Sequence, residues 1–137
     1  NSYRVTEKMT AWVFHNLEKT YRAAIPNARE VLRQKSGDCK AHSVLLATLA
    51  RSLRLPARTV SGLVGLADGK FYYHEWVEVW VGDWLAADAV FNQVNADATH
   101  IKLGQGDLLD QAKAIMSAIG SLRLEVLDYR MAEKKAP

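Results

Sequence analysis

The 137-residue chain contains one cysteine, Cys39, at the end of the segment Ser36–Cys39. Asp38 is a good N-cap, so Cys39 is predicted in the first turn of a helix. Unpaired backbone N–H groups and the positive end of the helix dipole favour the thiolate there, and the thiolate is the nucleophilic form. A buried cysteine that acts as a small hydrophobe is the alternative. At a helix start after Gly the two interpretations weigh equally, and the histidines decide between them.

A cysteine nucleophile needs a base, and His74 is the first choice among four histidines. It opens the segment 74–80, which alternates as a half-buried strand does and puts Trp76 and Trp80 on the His74 face. Large apolar neighbours shield an imidazole from water and strengthen an ion pair with a thiolate. His42 could share a helix face with Cys39, but a pair within one turn leaves little room for a substrate carbonyl. His15 and His100 are interpreted as ordinary surface or core histidines.

Asp88 is the predicted carboxylate that orients His74. A three-residue loop, 81–83, makes residue numbers across the hairpin sum to 164, which places Asp88 opposite Trp76 and on the His74 face. A slip of one residue would move Asp88 to the other face. Three further carboxylates compete for this role and are more easily explained as solvated charges: Glu75, Glu78 and Asp83.

The elements that must position these residues follow from hydrophobic periodicity and turn signals. One long helix followed by three consecutive antiparallel strands predicts an α+β fold, with a central helix that carries Cys39 at its N-terminus packed on an antiparallel sheet. The predicted elements are a helix over Val5–Tyr21, a short helix capped by Asn27 and ending at Arg33, the central helix from Asp38 to before Pro56, strands Thr59–Leu66, Phe71–Val81 and Trp84–Asp88, a short strand Thr99–Leu103, a helix capped by Asp107 and ended by Gly120, and an edge strand Leu122–Leu127.

Composition excludes several classes of protein. A single cysteine cannot form an internal disulfide or the paired-cysteine ligands of a zinc finger. No apolar run approaches the roughly 18 residues that span a bilayer. The pI is near 9.1, but the basic residues are scattered and suit a solvated surface better than a nucleic-acid interface. We therefore expect neither nucleic acid nor a membrane as a partner.

Length and local motifs limit the remaining possibilities. The 137 residues fit a single domain, residues 1–137. Because the chain begins without Met or a leader, we expect it to be a piece of a longer protein whose localisation is unreadable from this segment. No phosphate loop or dinucleotide fingerprint is present, so no organic cofactor is expected. The oligomeric state stays open.

Taken together, the motifs resemble the transglutaminase-like superfamily, in particular its bacterial members. The resemblance runs from Val31 to about Leu103 and includes the Gly-Asp-Cys at 37–39, the Leu-Arg-Leu-Pro-Ala-Arg at 53–58, the His-Glu-Trp-Val-Glu-Val at 74–79, and Trp84 before Asp88. The chain departs from the family pattern after the aspartate, where Ala89-Val90 replaces the common Pro-Thr. The family has a papain-like core, with cysteine at a helix N-terminus and His and Asp on neighbouring strands.

The resemblance implies a Cys39 nucleophile, a His74 base and acid, and an orienting Asp88. The implied reaction is acyl transfer on peptide or side-chain amides through a thioester, with a protein or peptide as substrate and the choice between hydrolysis and amine transfer left open. Trp76, Tyr72 and Tyr73 are candidate cleft residues, although aromatic residues on a strand also build cores. Two alternatives remain: a non-catalytic binding module with this fold, and a zinc site. The candidate zinc ligands are Cys39, His42, His74 and Asp88.

Overall fold

A computed structural model describes residues 1–21 and 26–131. The fold is α+β, as predicted, and across these residues it has four helices, a five-stranded antiparallel sheet and a short two-stranded pair. The helices are α1 (Ser2–Asn16), α2 (Ala28–Gln34), α3 (Cys39–Ser52) and α4 (Leu108–Ala118), and the strands are β1 (Glu18–Lys19), β2 (Ser36–Gly37), β3 (Ala57–Gly65), β4 (Phe71–Trp80), β5 (Trp84–Asp88), β6 (Gln93–Val94) and β7 (His100–Gln105).

Helix α3 is the centre of the core. Apolar residues recur every three or four positions along α3 and form a continuous stripe that faces the sheet. This stripe packs with α1 against the side chains of β4 and β5 that point to the helical layer. Buried members of this cluster are Met9, Val13, Leu45, Leu46, Ala50, Val77, Val79 and Ala87. The core therefore joins the N-terminal helices to the strands that carry the site.

The large sheet has the strand order β6-β5-β4-β3-β7. Val77 pairs with Ala87 and Trp80 with Trp84, so residue numbers across the β4–β5 hairpin sum to 164, as predicted. Gly82 has a φ of +111° in the connecting turn, a conformation that glycine adopts without steric cost. Pairing at this register leaves Asp88 at the end of β5, level with Trp76 and two residues along β4 from His74.

The first helix ends five residues earlier than predicted. Leu17 has extended backbone, and β1 follows, pairing in parallel with β2. The amide of Glu18 donates to the Lys35 carbonyl at 2.8 Å, and that of Thr20 donates to the Gly37 carbonyl at 3.0 Å. Tertiary pairing with the segment before Cys39 thus overrides the helical periodicity of residues 17–21.

The predicted edge strand over Leu122–Leu127 is wrong, because this segment is irregular in the structure. It follows α4 and pairs with neither β6 nor β7, the two edge strands of the large sheet. Leu122, Leu124 and Val126 are consequently exposed. Elsewhere, no helix within residues 1–21 and 26–131 has the length and apolar character needed to cross a membrane.

Candidate active site

Cys39 is the first residue of α3. Asp38 caps the helix, and its Oδ1 accepts a hydrogen bond from the Ala41 amide at 3.1 Å. A Cβ placed on Gly37 would lie 2.2 Å from the Ala41 Cβ, so only glycine lets β2 approach the first helical turn this closely. The Gly-Asp-Cys segment therefore fixes the thiol at the helix N-terminus, as predicted.

The resting state of Cys39 differs from the predicted thiolate. Burial raises the pKa of the thiol to about 11, the charges of Glu75 and Asp38 raise it further, and backbone hydrogen bonds from Glu75 and Lys40 offset only part of the effect. Desolvation of the sulfur thus outweighs the helix terminus. Within the described residues, no hydrogen bond joins the sulfur to an imidazole. Cys39 is held as a thiol against the backbone of Glu75, the residue after His74.

His74 and Asp88 are brought together as the hairpin register requires. His74 Nε2 lies 2.6 Å from Asp88 Oδ2, and the two side chains are 6% and 1% exposed. Burial alone would raise the pKa of Asp88, but hydrogen bonds from His100 and His74 and the charge of His74 outweigh it and hold that pKa well below its usual range. Asp88 is a buried carboxylate anion.

The ionised Asp88 determines the tautomer of His74. A carboxylate only accepts hydrogen bonds, so the proton between the two groups belongs to His74 Nε2. In the neutral imidazole, Nδ1 then carries the lone pair, and it makes no hydrogen bond to any described residue. This tautomer presents Nδ1 as a hydrogen-bond acceptor.

His100 is the site residue that the sequence interpretation missed. Its Nε2 lies 2.9 Å from Asp88 Oδ2, the oxygen that also accepts from His74, and its side chain is 4% exposed. It begins β7, which pairs with β3 and not with β4 or β5. The local signal was a histidine at the start of a predicted short strand, but nothing in the local pattern connects it to Asp88.

His42 faces a small cavity beside Cys39. Its Nδ1 lies 2.8 Å from the Asp38 carbonyl, so Nδ1 carries the proton and Nε2 is an acceptor. That Nε2 and the Thr20 hydroxyl are both buried without a hydrogen-bond partner among the described residues. Both residues line a cavity of about 230 Å³ with Cys39 and Val90. Burial lowers the pKa of His42, which keeps the ring neutral.

A metal ion has one candidate set of ligands among the described residues: His74, Asp88 and His100, whose donor atoms lie within 4.8 Å of one another. The predicted set that included Cys39 and His42 does not converge in this way. Separations of 2.6 and 2.9 Å from nitrogen to oxygen are hydrogen-bond distances. Ligand atoms about 2.0–2.2 Å from a tetrahedral zinc ion lie roughly 3.3 Å apart, so both rings would have to move away from Asp88.

Comparison with a family model shows which protein family contains this chain. The model of the transglutaminase-like superfamily matches residues 1–89, which include Cys39, His74 and Asp88. The chain belongs to the transglutaminase-like superfamily. The matched region ends one residue after Asp88, so it does not include His100.

Solved structures share the fold of this chain. The chain is similar to a protein from Cytophaga hutchinsonii described as a candidate cysteine protease, with a TM-score of 0.60 and 24% identity over 80% of this chain and 38% of that protein. It is also similar to LapG from Legionella pneumophila, with a TM-score of 0.63 and 11% identity over 84% of this chain and 77% of LapG. Calcium-bound LapG gives a TM-score of 0.57 and 13% identity over 75% of this chain and 64% of LapG. No curated protein matches the chain.

Aromatic residues surround His74 in this transglutaminase-like core. Trp76 is buried and lies 6.1 Å from the His74 ring, centroid to centroid, with Phe91 at 5.3 Å. Tyr72 and Tyr73 are partly exposed and donate hydrogen bonds to Asp68 and Glu75. Trp76 therefore forms a wall of the imidazole pocket, whereas neither Tyr72 nor Tyr73 lines the cavity that contains Cys39.

The three competing carboxylates have other partners. Glu75 is buried under the Tyr73 hydroxyl, and burial raises its pKa. Glu78 accepts hydrogen bonds from Arg58 and Lys102, and Asp83 caps its own turn through the Trp84 amide. None of the three accepts a hydrogen bond from His74, which leaves Asp88 as the described carboxylate that does.

Proposed function

We propose that this domain catalyses cysteine-dependent acyl transfer on peptide or side-chain amides through a thioester. Cys39 is the nucleophile, His74 the base and acid, and Asp88 the residue that orients His74. The observation that carries the proposal is the buried 2.6 Å hydrogen bond from His74 to Asp88. His74 directly precedes Glu75, whose backbone contacts the Cys39 sulfur. That hydrogen bond leaves the lone pair of His74 Nδ1 free for the thiol proton.

The reaction proceeds in two steps. His74 Nδ1 takes the proton of Cys39 as the sulfur attacks the amide carbonyl, which forms the C–S bond. The resulting imidazolium, stabilised by Asp88, donates that proton to the leaving nitrogen as the C–N bond breaks. In the second step water or an amine, deprotonated by His74, attacks the thioester and releases the thiol. Hydrolysis is the leading assignment.

The helix terminus supplies stabilisation for the negative oxygen of the tetrahedral intermediate. The Cys39 amide is at the first position of α3, where a backbone N–H has no partner within the helix. The positive end of the helix dipole acts at the same point. One lost donor of this kind costs about 10²–10³-fold in rate at comparable sites.

Two depressions adjoin Cys39 and can receive the two sides of an amide substrate. One is the 230 Å³ cavity that contains Cys39 itself. The other, of about 410 Å³, is lined by Lys40 and Glu75, whose backbone groups contact the sulfur, and by Arg51 and Arg58. A peptide lying across Cys39 would therefore meet a small polar cavity on one side and a more basic groove on the other.

An activated ester tests the proposal without knowledge of the natural substrate. Purified protein would be mixed with p-nitrophenyl acetate, and nitrophenolate release and acyl adducts would be followed by absorbance and intact-protein mass spectrometry. Cys39→Ser should abolish the thioester, and His74→Ala should slow acylation by about 10²–10⁴-fold. His15→Ala, at an exposed histidine, is the matched control and should acylate as the wild type does. Unchanged acylation in His74→Ala would overturn the proposal.

The same assay addresses the acceptor. Adding a primary amine such as glycine ethyl ester lets a second nucleophile compete with water for the thioester. Formation of the amide product in proportion to amine concentration would assign transfer, whereas acetate as the sole product would assign hydrolysis.

A non-catalytic binding module is the second candidate function. The observation that favours it is the pKa of the Cys39 thiol, raised by burial to about 11, together with the lack of a hydrogen bond from the sulfur to an imidazole within residues 1–21 and 26–131. Such a module should form no acyl adduct at Cys39 and should bind peptides equally well as the wild type and as Cys39→Ser.

A further inference from the structure

The Asp88 carboxylate receives hydrogen bonds on both oxygens. Oδ1 accepts from the backbone amides of Val90 at 2.7 Å and Phe91 at 3.4 Å. Oδ2 accepts from His74 at 2.6 Å and from His100 at 2.9 Å. The two amides therefore restrain the rotation of the carboxylate, and the donors on Oδ2 restrain it from the other side. Two imidazoles share that second oxygen.

The second nitrogen of His100 also faces acceptors. Nδ1 lies 3.3 Å from the Asp97 carbonyl and 3.4 Å from the Asp97 carboxylate. The titratable groups that face His100 are Asp88 from β5, Asp97 from the loop before β7, and His74 from β4. Burial lowers the pKa of His100, but hydrogen bonds and charge from Asp88 and Asp97 outweigh it, so that pKa is raised. His100 therefore suits the imidazolium form, with a proton on each nitrogen.

An irregularity in the β3–β7 pairing accompanies the placement of His100 beside Asp88. The β3–β7 register shifts between Ser61 and Gly62, and a Cβ on Gly62 would lie 1.9 Å from the Ile101 carbonyl oxygen. Gly62 thus lets the backbone after His100 approach β3 closely. Trp76 meets the His100 ring edge to face at 5.2 Å between centroids. An ordinary core histidine needs neither this close approach nor a buried anion.

We propose that His100 is a positioning residue of the site: it holds the Asp88 carboxylate in the rotation at which Oδ2 accepts from His74 Nε2. Through Asp88 it fixes the tautomer in which His74 Nδ1 keeps its lone pair. This inference rests on the proposed function for its catalytic meaning, but its structural part stands on the hydrogen bonds alone. Without His100 the carboxylate loses one of the two donors on Oδ2, so it turns more freely and holds the Nε2-protonated tautomer of His74 less strongly.

The structural part is tested by nuclear magnetic resonance. Long-range ¹H–¹⁵N spectra of labelled protein report the tautomer of each histidine, for the wild type, His100→Ala, His100→Gln and the control His15→Gln. A glutamine amide reaches about as far as His Nε2 and can donate the same hydrogen bond. We expect His74 to be protonated on Nε2 in the wild type, His100→Gln and His15→Gln, and to be a mixture of tautomers in His100→Ala.

The catalytic part is tested with p-nitrophenyl acetate. His100→Ala should lower kcat by at least about tenfold, the scale of a lost outer-shell hydrogen bond at other sites, with KM nearly unchanged. His100→Gln should stay within about threefold of the wild type, because the donor is restored. A merely structural role would instead impair the alanine and glutamine variants equally.

The outcomes separate this inference from the proposed function. A folded His100→Ala that retains the wild-type His74 tautomer overturns the inference, and so do equal losses of kcat in the alanine and glutamine variants. If the wild type itself forms no adduct at Cys39, the proposed function fails. In that case the tautomer measurement alone decides: mixed tautomers confined to His100→Ala support positioning by His100, and unchanged spectra overturn it.

Discussion

The protonation state of Cys39 at rest leads to a sharp prediction about its reactivity. A thiol with a pKa of about 11 is ionised to about one part in 10⁴ at pH 7. A free thiol, with a pKa of about 8.5, is about 3% thiolate at the same pH. If the thiolate is the reacting species, folded Cys39 should react with iodoacetamide about 300-fold more slowly than the same residue in unfolded protein.

The 300-fold ratio reflects the free-energy cost of ionising the buried Cys39 thiol. At 1.36 kcal/mol per pKa unit, ionising Cys39 into bulk solvent at pH 7 costs about 5 kcal/mol. In the proposed reaction this proton passes to His74 as the sulfur attacks the substrate, so no free thiolate has to form. We therefore expect a resting thiol that is slow with a small alkylating agent and is activated by an acyl substrate.

The assay is alkylation over pH 6–10, read by intact-protein mass spectrometry, on the wild type, His74→Ala and protein unfolded in urea. The folded wild type should show a rate that rises tenfold per pH unit without reaching a plateau by pH 10, and His74→Ala should follow the same line. A plateau that begins below pH 8.5 and disappears in His74→Ala would refute the reasoning. It would mean that a thiolate–imidazolium pair exists before substrate binds.

Three further expectations concern the neighbours of Cys39 and His74. Asp88→Asn keeps Oδ1 for the Val90 amide but turns an N–H toward His74, which forces the other tautomer of the imidazole. Ester turnover should therefore fall by about 10³–10⁴-fold while the circular dichroism spectrum stays unchanged. A loss below tenfold would contradict this. Gly37→Ala should lower the unfolding free energy measured in urea by about 1–3 kcal/mol, because its methyl group would overlap Ala41. Adding Ala41→Gly to the same chain should recover part of that loss. Strictly additive effects of the two substitutions would argue against the contact. The raised pKa of His100 means that its stabilising contribution is complete below the unfolded value of 6.5 and is lost as the pH rises through the folded value. Unfolding free energy should therefore fall more between pH 6 and 8.5 in the wild type than in His100→Gln, and parallel profiles would contradict this.

The sequence predicted the part of the site that local rules control. A cap and a glycine place Cys39 at a helix start, and a short hairpin with strict alternation allows one register that puts Asp88 beside His74. The spacing alone could not show how deeply the thiol is buried, because that depends on the packing of α3 against β4. The predicted thiolate is therefore replaced by a thiol with a raised pKa.

His100 and the first segment after α1 show where sequence patterns stop being informative. His100 reaches Asp88 because β7 crosses to the far edge of the sheet and pairs with β3, a long-range choice with no local signature. Residues 17–21 continue the helical spacing of α1, yet Glu18 and Lys19 pair with Ser36 and Gly37. In both cases a partner distant in the sequence decides the structure.

The proposed nucleophile and the proposed base belong to different layers of the molecule. Cys39 begins a helix, whereas His74, Asp88 and His100 are held by strands of one hydrogen-bonded sheet. A small sliding of α3 over β4 would change the distance from sulfur to imidazole while leaving the imidazole–carboxylate geometry intact. A substitution in the core between α3 and β4 should therefore alter the placement of the thiol while leaving the His74–Asp88 hydrogen bond unchanged.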